Sequence, residues 1–370
     1  MSIRRIGLGM LAPASALILA LLVSSAALLL IERSPVDAFS SMASYGTTPD
    51  SLISIVNRAV PLFLAGLAVA IGFKMNLFNI GVEGQYRLAA LLAASVGAAV
   101  TLPAPLHVAL IVLVAMAVGA VWAGIPGVLK VRRGVHEVIS TIMMNFIATG
   151  ISAYLLANYL RAENAPNDLI IKTPPIPASG RLPPLNGIFG LTDRPNLFSF
   201  VVVAVVVGIA FYLLIWRTRF GFDLRASGLN PEAARVSGVD SGGMVIRTML
   251  LSGAIAGLVG MSDLLGFFHQ YTLDFPVGLG FTGIAVALLG RNHPVGIALG
   301  ALLFGFIERS AQILDLENVP KEIIVIMQGV IILSVVIAYE VVRRLIEAQE
   351  VRAAAERTRA GSPEATGVPA

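Results

Sequence analysis

The chain of 370 residues contains no cysteine, which excludes a disulfide framework and a thiolate metal site. It is also poor in charge: Asp, Glu, Lys and Arg make up 13%, against ~25% in ordinary soluble domains. The four histidines, His107, His136, His269 and His293, are dispersed. With no H-x-x-x-H pair and no Ser/His/Asp grouping, the chain gives little support to a membrane enzyme. It holds no G-x-x-x-x-G-K-[S/T] run, which excludes a phosphate-loop ATPase. The net charge of +4 requires no nucleic-acid partner, because membrane orientation accounts for where the basic residues sit.

What is abundant is apolar. Hydrophobic residues make up 56% and the mean hydropathy is +0.84. The runs are too long and too many for one buried core, so the fold class is all-α, a polytopic membrane protein of about ten transmembrane helices. The spans fall at roughly 10–31, 52–73, 84–101, 105–129, 136–159, 198–216, 246–267, 277–290, 293–308 and 322–342. The first follows Arg4 and Arg5 and exceeds the ~7–15 apolar residues of a cleavable signal, so it reads as a retained helix. With both termini cytoplasmic, eighteen of the 26 Lys and Arg fall on inner positions and eight outside, the positive-inside pattern.

The transmembrane domain is expected over 1–344. A charged, partly disordered cytoplasmic tail follows over 345–370, containing Gly361-Ser362-Pro363. The outer segment 161–196 is rich in proline and reads as extended cover.

The run from Gly72 to Arg87 interrupts the apolar pattern with Asn79, Glu83 and Gln85 and with two close glycines, Gly81 and Gly84. Polar groups at membrane depth are expensive and survive where they line a pathway or tie helices together. Glycines there let the backbone break or a neighbour approach closely. Glu83 reads equally as a coupling acid or as an acceptor for backbone amides. A weak inverted internal repeat is also visible. Asn79 to Gln85 is echoed by Pro276 to Gly283, His107 by His293, and Val135 to Ile139 by Val319 to Ile324, across an odd number of spans. Gly-interrupted segments at matching positions of two halves are what transport folds use to build a midplane pathway.

The longest inner loop, 217–246, contains Asn230-Pro231-Glu232-Ala233-Ala234-Arg235-Val236-Ser237-Gly238. Asn230 suits the N-cap, Pro231 the first helical position, Glu232 the positive helix end and Gly238 the exit. The result is a short helix with a smooth face suited to a groove on another protein.

Glu-Ala-Ala followed by three residues and Gly, in such a loop, resembles the coupling motif of ABC importer permeases. Phe78-Asn79-Ile80-Gly81-Val82-Glu83-Gly84-Gln85 resembles the signature of the group serving simple sugars, nucleosides and branched-chain amino acids. The stretch Arg225 to Gly238 is most similar to the larger permease of nucleoside-type systems that work with basic membrane lipoproteins. Together the likeness covers most of residues 50–342.

The resemblance implies a multi-pass permease of the bacterial plasma membrane, without an ATPase site or cofactor of its own. Separate ABC ATPase subunits would use ATP and Mg. A second permease subunit, a substrate-binding lipoprotein outside the membrane, and membrane lipid would be its other partners. Pro231, Glu232, Ala233, Ala234 and Gly238 would form the ATPase-coupling loop. Phe78, Asn79, Gly81, Glu83, Gly84 and Gln85 would shape the translocation pathway, with Phe78 or Tyr86 stacking on a base or packing in the core. The rival reading is an ion-coupled secondary transporter, for which Glu83, His136, Glu137, Asp263, His269 and Glu308 are the available acids and histidines. Of these, Asp263 reads as a lip residue and His136 as an interfacial group or cap.

Overall fold

The computed structural model describes residues 18–163, 170–191 and 193–316, with separate positions between 325 and 344. Residues 10–17 of the first expected span, much of the tenth and the tail 345–370 lie outside the described residues. The chain divides into two compact units, 1–38 with 319–370, and 39–318. In the first, α1 covers Ile18–Leu30, and the described positions from 325 to 344 are helical. Helix α2 covers Pro35–Gly46, with proline at its first position as favoured there.

Among the described residues, the regular elements of the second unit are all helices, joined by loops and one isolated bridge between Lys172 and Thr272. Helix α3 (Pro49–Phe73) starts where Thr48 accepts the Ser51 N–H, and it is buried over most of its length. It packs against α8 (Phe200–Arg217), α11 (Ser241–Gly257), α13 (Leu279–Leu289) and α14 (Pro294–Leu316). Between α3 and α8 lie α4 (Val82–Ala99), α5 (Ala104–Arg133), α6 (Glu137–Asn158) and the four-residue α7 (Asn186–Phe189). Lys130, Arg132 and Arg133 complement the C-terminal end of α5, and Gly134 closes it at φ 69°. The loop expected over 217–246 is mostly helical: α9 covers Arg219–Leu229, α10 Pro231–Val236, and α11 already begins at Ser241. α11 continues through α12 (Met261–Asp263) and a π-helical turn into one apolar span, Ser241–Phe268.

Among the described residues, six helices are long and apolar enough to cross a membrane, or seven if α1 and α2 form one bent span. Two of the expected spans fall short for a physical reason. α13 has 11 residues, only about 17 Å of helix against a hydrocarbon core of ~30 Å. α4 carries Glu83, Gln85 and Arg87 in its first two turns, which lowers its apolar character.

Close backbone approach joins α5 to α11. A methyl group at Gly253 would strike the Gly119 carbonyl, and one at Gly257 would strike the Ala115 carbonyl. Only small residues permit such contact. Within the proline-rich 161–196 segment, residues 170–177 are extended and tied down. The Thr173 and Ile176 N–H groups donate to the carbonyls of Tyr271 and His269 at 2.9 and 2.8 Å. Buried His107 lies 2.9 Å from Ser179 Oγ through Nδ1 and 2.8 Å from the Gly97 carbonyl through Nε2.

Candidate functional site

The chain leaves α3 through Asn76, whose φ of 56° reverses the backbone, and re-enters the bundle at residues 77–81. Buried Asn79 is fully paired. Its amide donates to Gln85 Oε1 at 3.0 Å and Ser252 Oγ at 2.8 Å, and its Oδ1 accepts from Gln85 Nε2 at 2.9 Å and the Gly81 N–H at 3.0 Å. Ser252, on α11, donates onward to the Ala68 carbonyl of α3 at 2.6 Å. One amide pair thus ties three helices together.

Gly81 offers α4 no side-chain cap. Asn145 of α6 supplies one: its Oδ1 accepts the Gly84 N–H at 2.8 Å, and its amide donates to the Ile80 carbonyl at 2.9 Å. A Cβ at Gly84 would come within 2.8 Å of the Asn145 Cα, so this approach needs glycine. Asn145 was not singled out in the sequence. The signal was there, a lone amide in the middle of a long apolar span.

Glu83 does the same for α13. Its carboxylate accepts the N–H of Gly278 at 2.8 Å and of Gly280 at 3.0 Å. Of its two readings, the acceptor for backbone amides is the one the geometry displays. The Tyr86 hydroxyl lies 3.0 Å from Glu83 Oε1 and 2.7 Å from the Pro276 carbonyl. The two segments paired in the sequence echo therefore touch, with the positive ends of α4 and α13 meeting at one carboxylate.

The aromatic residues divide. Tyr86 is wholly buried and has no free face, whereas Phe78 is 46% exposed, edge-on to Phe73. Several of the other ionisable groups have structural partners. Nδ1 of His136 accepts the Val138 N–H and caps α6, and Glu137 pairs with Lys130 and accepts the Phe78 N–H. Arg58 lies 3.7 Å from Glu308. Asp263, expected at a lip, is half-buried within electrostatic reach of both. At His269, burial and Arg181 lower the imidazole pKa below its ordinary value. Among the described residues, no three His, Asp or Glu gather as metal ligands.

The second expected site is a separate element. Asn230 Oδ1 accepts the N–H groups of Glu232 and Ala233 at 3.1 and 3.0 Å, and Pro231 opens α10. Ala234 packs inward while Pro231, Glu232 and Ala233 are exposed. Gly238 takes φ 86° in open space. Val236 at the end of the helix and Leu229 just before it are 91% and 88% exposed, and with exposed Glu232 and Arg235 they give α10 a mixed apolar and charged outer face. Ser241 Oγ donates to the Pro231 carbonyl at 3.0 Å, fastening α10 to the start of α11.

Residues 51–336 match the family described as branched-chain amino acid transport system, permease component. The chain is 39% identical over 288 residues to the guanosine ABC transporter permease protein NupP of Bacillus subtilis, covering 77% of this chain and 81% of that one. It is 35% identical over 336 residues to the glucose ABC transporter permease protein TsgB13 of Haloferax volcanii, covering 88% and 86%. To the nucleoside ABC transporter permease protein NupB of Lactococcus lactis it is 31% identical over 297 residues, covering 79% and 81%. No solved structure matches. A helical chain with a capped surface helix, a cross-capped polar break and this similarity over most of its length belongs to the family of permease components of ABC transport systems.

Proposed function

We propose that the chain is the membrane-spanning subunit of an ATP-driven importer that moves nucleosides inward by alternating access. The observation that carries this reading is α10, a capped and exposed surface helix fastened to a membrane helix. Two of the relatives named above carry guanosine and nucleoside in their names, which favours nucleosides over simple sugars.

In this reading two ABC ATPase subunits bind ATP and Mg, and their closure pushes on α10. The Pro231–Ser241 bond passes the displacement to α11, and Ser252 on α11 passes it to Asn79. The polar break and α10 then belong to one mechanical chain, and the pathway switches sides. Asn79, Gly81, Glu83, Gly84 and Gln85 hold the pathway wall in shape, and half-exposed Phe78 offers it an aromatic face. A second permease, similar or identical, completes the pathway, and a lipoprotein delivers substrate from outside. Multiple spans in the bacterial plasma membrane, both termini in the cytoplasm, and an inverted repeat complete the proposal. The domains are a permease region over 1–344 and a tail over 345–370. The meeting of α4 and α13 and the placement of basic residues support it.

The test is uptake into proteoliposomes holding the assembled complex. Guanosine uptake that requires luminal ATP and is indifferent to protonophores is expected. Uptake driven by an ion gradient alone would end the proposal.

A further inference from the structure

An apolar groove of about 750 Å³ runs between α3, α8 and α14. Its walls include Val56, Val60, Val205, Ile209, Ala298 and Leu302, and its polar groups are Tyr212 and His293. These two sit together, ring centroids 6.0 Å apart, at the last turns of α8 and the start of α14. The groove therefore has one apolar end and one polar end.

The polar end continues into a cationic cluster. Trp216 stacks on Tyr212 at 5.5 Å and lies 5.3 Å from His293. The Lys74 ammonium sits 5.0 Å above the Trp216 ring. Burial, then the charges of Arg225 and Arg291, lower the Lys74 pKa below its ordinary value. Among the described residues, none of these three cations has an ion-pair partner within 4.0 Å. Three mutually repelling cations without a carboxylate form an arrangement that an anion would relieve.

Length selects the occupant. From Val201 to Tyr212 along α8 is about 16 Å, close to half of the ~30 Å hydrocarbon core. A spanning helix needs the full thickness, whereas one acyl chain needs half. Aromatic rings beside Lys and Arg at the end of such a groove match the chemistry of a headgroup region. We propose that the groove and the cluster form a binding site for one anionic phospholipid, with an acyl chain along α8 and the phosphate against Lys74, Arg225 and Arg291. Arg225 lies on α9, the neighbour of α10, so the lipid would steady the helix next to the one that docks.

The experiment is native mass spectrometry and thermal unfolding of the full-length protein in detergent, titrated with phosphatidylglycerol or phosphatidylcholine. Phosphatidylglycerol is expected to bind and stabilise at least tenfold more effectively. Lys74→Gln and Arg291→Gln should each reduce that preference roughly fivefold, and Ala298→Trp should displace both lipids by filling the groove. A photoreactive group at Val205 should cross-link to lipid. Equal effects of the two lipids, a preference unchanged in the Lys74→Gln/Arg291→Gln double variant, or the same stabilisation by inorganic phosphate alone would each overturn the proposal. So would cross-linking of Val205 to residues 325–344 or to a second permease in place of lipid.

Discussion

The Glu83 carboxylate and the Gly280 backbone N–H lie 3.0 Å apart, and through that contact a residue of α4 caps α13. The relation is reciprocal in kind, since α4 is itself capped from α6 by Asn145. Two short helices begin inside an apolar bundle, where unpaired N–H groups cost most. Neither brings its own cap, so each borrows one from a different helix.

Glu83→Gln is expected to weaken the fold. Its amide nitrogen must face one of the two glycine N–H groups, losing a charge-assisted bond of about 1.5–3 kcal/mol. Thermal unfolding of the purified variant should show a clearly lower midpoint, and Glu83→Leu a lower one still. An unchanged midpoint for Glu83→Gln would mean the carboxylate is not a cap.

Asn145→Leu leaves both the Gly84 N–H and the Ile80 carbonyl without partners. Each buried orphan costs about 1–3 kcal/mol. Loss of folded protein on solubilisation is the expected result, read by size-exclusion chromatography, and near-normal yield would contradict it.

Gly253→Ala and Gly150→Ala should part company. A methyl at position 253 meets the Gly119 carbonyl, whereas position 150 has open space around it. The first variant should lose stability, and the second should hold or gain about 0.5–1 kcal/mol because alanine suits a helix interior better. Equal unfolding midpoints would refute the close crossing of α5 and α11.

Gly238 offers a clean test of docking. Aspartate tolerates the left-handed backbone better than alanine, which carries a strain of about 1–2 kcal/mol there. Gly238→Asp should therefore leave the membrane domain folded and yet uncouple ATP hydrolysis from transport, through charge on the docking face. Full substrate-stimulated ATPase activity in the assembled Gly238→Asp complex would remove α10 from the coupling path.

Acidification should loosen the 161–196 segment through His269. Burial and Arg181 lower its folded pKa, while the unfolded chain titrates near 6.5. The unfolded state then binds more protons below that pH, so stability is full above about pH 6.5 and falls as pH drops through the window beneath it. Limited proteolysis of the segment should quicken from pH 7 to pH 5 in the wild type. His269→Gln should flatten that dependence, and an unaltered profile would assign it elsewhere.

The polar break was legible because amides and an acid stand out in an apolar run, and α10 because its cap, proline and exit glycine are local signals. The partners were not. Ser252, Asn145 and Gly280 lie tens to hundreds of residues from the groups they satisfy, and no local pattern announces them. Arg87 illustrates the same limit: it lies inside α4 beside Tyr271, a neighbour that nothing in the local sequence announces. Hydropathy locates apolar stretches without saying where a helix begins, so α4 and α13 read as full spans.

The backbone contact between α5 and α11 sets the grain of any motion. Where Gly119 meets Gly253 and Ala115 meets Gly257, there is no side-chain cushion to absorb sliding. A shift of even one residue would drive larger neighbours into a carbonyl. So close a crossing is expected to move as one stiff body, and in the proposed mechanism a push delivered at Ser241 would travel along its length. Conformational change is then expected as the tilting of blocks, with its compliance placed in other helices.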